Sequence, residues 1–222
     1  MKPILFNTEM VKAILEGRKT VTRRVIKLKY GNTHIEWKED KYGKRLIELQ
    51  NDVEGETHGR REDGTTWRKL LAYRELKPPY QVGDVLYVRE TFDPEYWPWH
   101  NKNGRSDLYK ADYEMWKNKS AFSLPRWKPS IHMPKEAARI FLRVTKIKPE
   151  QLQDITDKEA RAEGVNPATN NSGIAHRAMF MKIWDSTIPK KDLKKYGWNA
   201  NPWVWVIEFE RVGNPIPSSI TR

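Results

Sequence analysis

A short basic segment carries the residues whose types and spacing could do chemistry. The stretch GRKTVTRRV, residues 17–25, places Lys19 and Thr22 three positions apart. Three arginines flank this pair: Arg18, Arg23 and Arg24. A threonine hydroxyl is a weak nucleophile at neutral pH, and a desolvated lysine beside other cations can lose its proton and serve as its base. The segment has three interpretations: a solvated basic strand, a phosphate-binding site, or a lysine that activates a hydroxyl.

The spacing of Lys19 and Thr22 constrains the backbone that must carry them. Side chains alternate between faces along a strand with a period of two, so a spacing of three places them on opposite faces of an ideal strand. Convergence of the two side chains therefore requires a bend or bulge. The alternatives are that Lys19 is a surface lysine or a point-charge phosphate contact, and that Thr22 is an ordinary β-branched strand residue.

The elements around this segment follow from local patterns. The stretch TEMVKAILEG predicts a short helix over residues 8–16, with Thr8 as its cap and Gly17 at a left-handed stop. A second short helix is expected at TDKEARAEG, where Thr156 and Glu159 have capping-box spacing. A third is expected over HRAMFMKIWDSTI, whose apolar residues share one face. The basic segment therefore begins where a helix ends.

Strand patterns dominate the rest of the framework. Strand patterns, in which successive side chains fall on alternate faces, occur at residues 85–92, 138–145 and 203–210, and we expect these segments to be neighbours in one curved sheet. Strands and helices do not alternate regularly, so the expected class is α+β, with a mostly antiparallel or barrel-like sheet and not a doubly wound one. The length of 222 residues fits a single domain spanning residues 1–222.

Two segments interrupt this framework and are interpreted as insertions outside the barrel. Residues 31–80 are polar, with RLIELQ as the one plausible strand. Residues 93–133 are irregular, as in a long binding loop with a hairpin. The second segment holds four tryptophans among lysines and arginines: Trp97, Trp99, Trp116 and Trp127. These aromatic side chains either stack on unpaired bases or build a satellite core.

Charge and composition favour a polyanionic partner. The chain has 41 Lys and Arg against 29 Asp and Glu, a formal net charge of +12. Nucleic acid is the leading candidate, with a generally soluble basic surface as the alternative. Cysteine is absent, which excludes disulfides, zinc–thiolate sites and thiol nucleophiles. A lysine-rich turn, PKKDLKKYGWNANP, is a second place where phosphates could bind.

No cofactor, metal or membrane segment is expected. The five histidines are far apart in the sequence, without the paired spacing of a metal site. The amino terminus, MKPILFNTEM, lacks an apolar run of signal-peptide length, and no stretch is apolar enough to span a bilayer. A cytoplasmic location is therefore expected, and the pattern predicts no particular protein partner.

Four separated blocks resemble one known family. The blocks ILFNTEMVKAILEGRKTVTRRV, VGDVLYVRETF, LQDITDKEARAEGV and YGWNANPWVWVIEFERV, in this order, resemble the ASCH domain, a PUA-related fold, in the longer form often found in phage and prophage genomes. The resemblance covers the framework and does not reach the two insertions. It implies a PUA-like small β-barrel with short flanking helices and a cleft suited to RNA or a single modified nucleobase.

The resemblance also implies particular site residues. A compact bacterial branch of the family hydrolyses the amide of N(4)-acetylcytidine with a lysine, a threonine and a glutamate. These positions fall on Lys19, Thr22 and Glu163, the last of which ends the short helix at TDKEARAEG. Glu163 would then act as a general acid or base. The compact enzymes lack the two insertions of this chain.

Three functions remain open on the sequence. The first is a module that binds RNA or a modified nucleobase or nucleoside in a basic cleft. The second is a hydrolase of acylated nucleosides that uses Lys19, Thr22 and Glu163 without a metal. The third is a metal-independent ribonuclease in which cations stabilise a pentavalent phosphate. All three need nucleic-acid recognition, for which the candidate residues are Arg18, Arg23, Arg24, Arg89 and Trp127.

Overall fold

The structure, a computed structural model, describes ten stretches of the chain: residues 1–29, 33–41, 43–50, 58–60, 62–64, 66–68, 73–94, 108–113, 125–165 and 176–215. The strands in chain order are β1 Lys2–Leu5, β2 Val21–Val25, β3 Thr33–Asp40, β4 Gly43–Gln50, β5 His58–Arg60, β6 Thr66–Arg68, β7 Tyr73–Glu75, β8 Val85–Arg89, β9 Phe92–Asp93, β10 Leu108–Tyr109, β11 Phe141–Gln151 and β12 Trp203–Val212.

Helices are short. The α-helices are α1 Thr8–Leu15, α2 Asp157–Ala162, α3 His176–Thr187 and α4 Leu193–Tyr196. The 3₁₀ turns are Ser130–His132, Lys135–Ala137, Leu152–Asp154, Lys190–Asp192 and Trp198–Ala200. No helix among the described residues is long and apolar enough to cross a membrane.

A mixed five-stranded sheet forms the framework. Its strand order is β1-β8-β11-β12-β2, with β1 and β8 parallel and the other neighbours antiparallel. The α+β class is therefore confirmed, as is the prediction that the three alternating segments are neighbours. The middle segment begins later and runs further than predicted, and its register shifts between Val144 and Lys146.

The described strands do not close into a barrel, so the prediction of a closed small barrel is wrong for this part of the chain. Strands β1 and β2 are the two edges of the sheet, and α1 connects them along the chain. A side chain connects the two edges: Arg24 Nη2 on β2 donates to the carbonyl of Leu5 on β1 at 2.7 Å. An opening is thus left between the ends of β1 and β2.

The N-cap of helix α1 lies one residue earlier than the sequence predicts. Asn7, not Thr8, is the N-cap, and its side chain accepts from the Met10 backbone N–H at 2.9 Å. The amide oxygen of Asn is as good an acceptor as the hydroxyl of Thr, and here Asn7 has the extended backbone that a cap requires. Gly17 lies in the left-handed region, with φ of +74°, and ends the helix as predicted.

Helix α2 follows its sequence signals closely. The Thr156 side chain accepts from the Glu159 backbone, and the Glu159 carboxylate accepts from the Thr156 backbone, which completes the predicted capping box. Glu163 is the C-cap, and Gly164 follows it with φ of +92°. The helix therefore positions Glu163 at its carboxyl end.

The segment predicted as the first insertion has more regular structure than expected. It contains a three-stranded sheet, β3-β4-β7, and the β5-β6 hairpin, whereas the sequence indicated one strand. Leu46 and Leu76 are buried in the same apolar cluster as Ile4 and Leu142 of the main sheet. In β4 the consecutive residues Leu46, Ile47 and Glu48 are all buried.

The second predicted insertion is described in part. Strands β9 and β10 pair as a short antiparallel ladder, and Phe92 and Tyr109 pack with Met133 and Phe141 in a separate apolar cluster. Trp97, Trp99 and Trp116 lie outside the described residues, so the prediction that they stack on bases stays a prediction.

Candidate functional site

Lys19 lies in a short irregular stretch between α1 and β2. Its backbone forms an isolated bridge with Glu163, while the next residue, Thr20, donates its N–H to Ala162 O at 2.9 Å and accepts from Phe209. Regular pairing with β12 begins only at Val21. This break in the strand is the irregularity that the spacing of Lys19 and Thr22 predicts.

The Lys19 amine is fully buried and has all of its donors in use. Nζ lies 2.7 Å from Val21 O, 2.9 Å from Glu163 O and 2.6 Å from Glu163 Oε2. An ammonium has three N–H donors and no acceptor, so these three contacts saturate it. The geometry therefore separates the interpretations of Lys19: it is not a surface lysine, and its charge faces a carboxylate.

Burial changes the protonation of this amine. Desolvation lowers the pKa of Lys19 from its ordinary value, and the nearby Arg24 and Arg23 guanidinium groups act in the same direction. The Glu163 carboxylate, through its charge and its hydrogen bond, opposes this change. Only the neutral amine of a lysine can accept a proton from a hydroxyl, and a lowered pKa makes this neutral form easier to reach.

Arg23 shares Glu163 with Lys19. Its Nη1 lies 3.2 Å from Glu163 Oε1, so the two oxygens of Glu163 face different cations. The other side of the guanidinium holds Glu150 Oε1, with Nε at 3.0 Å and Nη2 at 2.6 Å, and Glu159 Oε2 lies 3.4 Å from Nη2. The Arg23 side chain has no exposed surface.

The predicted contact of Arg23 with phosphate must be weighed against the carboxylates that already surround it. Lys148 completes the cluster, 2.7 Å from Glu150 and 3.1 Å from Glu159. Three cations, Lys19, Arg23 and Lys148, thus face three carboxylates, Glu150, Glu159 and Glu163. The charge of Arg23 is therefore balanced inside the protein. Together with Lys19, Arg23 also fixes the position of the Glu163 carboxylate.

Thr22 is the third residue that the resemblance implies. It lies on β2 opposite Ile207 and is buried, and it lines a cleft together with Glu163. Among the described residues the Thr22 hydroxyl has no hydrogen-bond partner, in contrast to the saturated Lys19 amine. The hydroxyl is thus the group in this trio that is left for a ligand.

The cleft occupies the opening between the sheet edges. Its volume is about 480 Å³, within the range of roughly 300–1,000 Å³ typical of small-molecule sites. Its walls come from the end of β1, from β2, from one face of α3 and from the turn at Pro129. The residues that line it are Leu5, Phe6, Asn7, Thr8, Met10, Thr22, Arg23, Arg24, Thr91, Pro129, Ser130, Glu163, Phe180, Ile183, Trp184, Ser186 and Thr187.

Arg24 is the cation that the cleft presents. Its guanidinium lies over the Phe6 ring, 5.4 Å from the ring centroid, and one N–H is held by the Leu5 carbonyl. No carboxylate within the described stretches lies at ion-pair distance from it. Arg24 therefore lies beside an aromatic face without an ion-pair partner in the described stretches, and its predicted contact with nucleic acid stays a prediction.

The other predicted nucleic-acid residues lie away from the cleft. Arg18 is bound to the Gly164 carbonyl and to Glu16. Arg89 donates to the Ile131 carbonyl. Trp127 is half-buried and packs edge-on against Tyr113, with ring centroids 5.3 Å apart. None of the three lines the cleft, and their predicted contacts with nucleic acid stay predictions.

Sequence reasoning missed the aromatic walls. Phe180 and Trp184 share the apolar face of α3 and fit the pattern of core residues, yet this face borders the cleft. Phe6 follows β1 with no local signal at all. Glu150 was also missed, because nothing near it in the sequence shows that it is buried opposite Arg23.

Comparison with known proteins adds no relative. The chain matches no protein-family model, no curated protein and no solved structure. No group of three or more His, Asp or Glu side chains in the described stretches could hold a metal ion. The interpretation of the site therefore depends on its own geometry and on the sequence blocks quoted above.

Proposed function

We propose that this chain binds a nucleoside, or a single base of RNA, in the cleft between the ends of β1 and β2. One observation carries the proposal: a cleft of nucleoside-compatible size combines aromatic walls, an unbalanced Arg24 and a free Thr22 hydroxyl. Aromatic and apolar walls favour the planar base, while the few polar groups fix its orientation.

The polar groups can discriminate among bases. Arg24 donates hydrogen bonds, and the Thr22 hydroxyl donates or accepts them. An acyl group on an exocyclic amine would present a carbonyl acceptor and an amide N–H donor to such a set. A modified base is therefore a better match to the cleft than an apolar ligand, for which Arg24 and the Thr22 hydroxyl would lose hydration without new partners.

A second candidate function is hydrolysis of an acylated nucleoside, and the burial of Lys19 near Thr22 in the chain favours it, because desolvation lowers the pKa of the Lys19 amine. In this scheme the Thr22 hydroxyl attacks the amide carbonyl, and its proton passes to the neutral Lys19 amine. The C–N bond then breaks, and the amine of the nucleoside leaves with that proton. Water hydrolyses the threonine ester, which releases the acid and restores the hydroxyl.

We further propose that the chain is a long member of the ASCH family with a PUA-like fold. The four sequence blocks support this, because they lie on α1, β2, β8, α2 and β12, which surround the cleft or pack against its walls. In such a fold, a base would enter through the opening between the ends of β1 and β2. A member of this family would be expected to use the same cleft for recognition whether or not turnover follows.

Binding of free nucleosides tests the proposed function directly. Titration of the protein with cytidine, N(4)-acetylcytidine and uridine, followed by calorimetry, should give saturable binding with a preference for the acetylated nucleoside. Arg24→Gln should weaken this binding. The matched control is Arg143→Gln, since Arg143 is exposed, pairs with Glu210 and does not line the cleft. Absence of binding to all three nucleosides would overturn the proposal.

A further inference from the structure

A cluster of exposed lysines follows the helix that forms one wall of the cleft. Four lysines lie within six residues, and we call them the lysine segment: Lys190, Lys191, Lys194 and Lys195. All four are exposed, and no carboxylate of the described chain lies within ion-pair distance of any of them. Elsewhere the exposed Lys2 and Lys146 each face an acidic side chain.

The lysine segment is held rigidly against the cleft wall. The Trp184 indole lines the cleft, and its Nε1 donates to the Tyr196 carbonyl at 2.9 Å, at the end of α4. Asp185, the next residue of α3, accepts from the Trp198 backbone N–H at 2.7 Å. Trp184, which borders the cleft, and the neighbouring Asp185 therefore anchor the turn that carries the lysines.

Gly197 shows how closely these parts pack. A Cβ at this position would lie 2.6 Å from the Leu193 carbonyl oxygen and 3.3 Å from Asp185 Oδ1, so only glycine allows the approach. Ser186 and Thr187 continue the cleft wall toward the segment, and Lys190 lies three residues beyond Thr187. Unpaired positive charge thus begins where the wall of the cleft ends.

We infer that the ligand is a base within a single strand of RNA, whose phosphates run from the cleft along the lysine segment. This inference rests on the proposed function and extends it from a nucleoside to a polymer. A base must leave its stack to enter a cleft of this kind, which a single strand permits at little cost. Lysines that lack carboxylate partners can neutralise phosphates without first breaking an ion pair.

If the cleft binds the base and the lysine segment binds the phosphates, the two should contribute separately to RNA binding. The cleft would supply selectivity for the base and little dependence on salt. The lysine segment would supply affinity for any strand and a strong dependence on salt, because counterions leave the phosphates on binding. The four lysines alone would contribute a slope of up to about 0.7 per phosphate contact to the plot of log affinity against log salt.

The test compares two variants of equal charge. In one, Lys190, Lys191, Lys194 and Lys195 are replaced by Gln. In the other, four exposed lysines that do not line the cleft are replaced by Gln: Lys27, Lys77, Lys146 and Lys158. Affinity for a fluorescein-labelled oligocytidylate is measured at several salt concentrations, and affinity for free N(4)-acetylcytidine is measured in parallel. Circular dichroism and the melting temperature check that both variants are folded.

The expected result is specific to the lysine segment. Its variant should bind the oligonucleotide more weakly, with a salt slope flattened by up to about 0.7 for each lost contact, and should bind the free nucleoside as the wild type does. The control variant should keep most of the wild-type slope. Equal flattening in both variants would mean that net charge alone attracts RNA, which would overturn the inference.

Other outcomes separate this inference from the proposed function. If the wild type binds the nucleoside and gains nothing from the oligonucleotide, the polymer inference is wrong and the proposed function stands. If it binds neither, both are wrong. If it binds poly-glutamate more tightly than the oligonucleotide, and the lysine-segment variant loses that binding, the segment is a docking surface for an acidic protein and the inference is overturned.

Discussion

Lys19 and Glu163 contact each other through both backbone and side chain. The two residues form an isolated β-bridge, and Lys19 Nζ lies 2.6 Å from the Glu163 carboxylate and 2.9 Å from its carbonyl. They are 144 positions apart in the chain. Burial of this pair costs desolvation energy that an apolar pair would not, and of the two residues Glu163 lines the cleft while Lys19 lies behind it.

Removal of either reacting group tests hydrolysis. If Lys19 activates the Thr22 hydroxyl, wild-type protein without added metal should release acetate from N(4)-acetylcytidine. Lys19→Ala and Thr22→Ala should each reduce kcat/KM by about 10²-fold or more, since base and nucleophile act in one step. The double variant should resemble either single variant, because residues that act as a unit are not additive. Acetate release by a coupled assay gives the measurement.

Arg143→Gln serves as the control and should keep full activity, because this exposed arginine pairs with Glu210 and does not line the cleft. Losses that multiply in the double variant would show that the two residues act independently. Binding of the nucleoside without acetate release by the wild type would exclude hydrolysis and leave recognition.

The pH dependence of turnover should report the state of Lys19. Burial lowers the pKa of the Lys19 amine, and the Glu163 carboxylate raises it again. The base must be neutral to act, so kcat/KM should rise with pH as Lys19 loses its proton. Glu163→Gln removes the opposing charge, which lowers the pKa of Lys19 further, so the rising limb should move to lower pH even as turnover falls.

A limb that moves to higher pH in Glu163→Gln would assign the titration to another group. The binding of N(4)-acetylcytidine should change less than turnover, because the amide keeps the shape of the carboxyl group but loses its charge and its ability to move a proton. Equal losses in binding and turnover would make Glu163 a ligand contact without a role in proton transfer.

Arg23 should matter chiefly for stability. Arg23→Gln leaves Glu150 and Glu163 buried without their common cation, and breaking a buried ion pair in this way typically costs about 3–5 kcal/mol. The control, Arg143→Gln, breaks an exposed pair with Glu210, which typically costs about 0–1 kcal/mol. Urea unfolding followed by circular dichroism measures both free energies. Equal effects would contradict the buried network.

Local signals in the sequence predicted much of the framework. The capping box at Thr156, the stop at Gly17 and the alternating strand over Trp203–Val212 depend on neighbours within a few residues, and each is present. The N-cap of α1 was misplaced by one residue because Asn7 and Thr8 are both good capping residues. Contacts of this range are the ones that a pattern can encode.

The candidate site depends on contacts that no local pattern encodes. Lys19 and Glu163 could be paired only through a resemblance, since nothing near either residue specifies the other. The burial of Arg23 depends on Glu150, which is 127 positions away, and a run of arginines looks the same whether solvated or buried. The open sheet edge also escaped prediction, because strand patterns do not show whether the first strand pairs with the last.

Gly164 offers a test of how the site is assembled. It has φ of +92°, and a Cβ there would lie 2.8 Å from Ala13 Cβ and 3.0 Å from Lys19 Cβ. Gly17 also has positive φ, at +74°, but a Cβ there would meet nothing within 4 Å. Gly164→Ala and Gly17→Ala therefore share a backbone cost of about 1–2 kcal/mol, and only the first adds crowding against α1 and Lys19.

The crowding should add about 1–3 kcal/mol of destabilisation in Gly164→Ala, as overpacking in a buried position typically does. The difference between the two unfolding free energies, measured in urea, isolates this cost because the backbone penalty cancels. Gly164→Ala should also weaken nucleoside binding, since α1 and Lys19 must move away from the bridge with Glu163, whereas Gly17→Ala should bind as the wild type does. Equal stabilities for the two variants would mean that the close approach of α2 to Lys19 is not required to build the site.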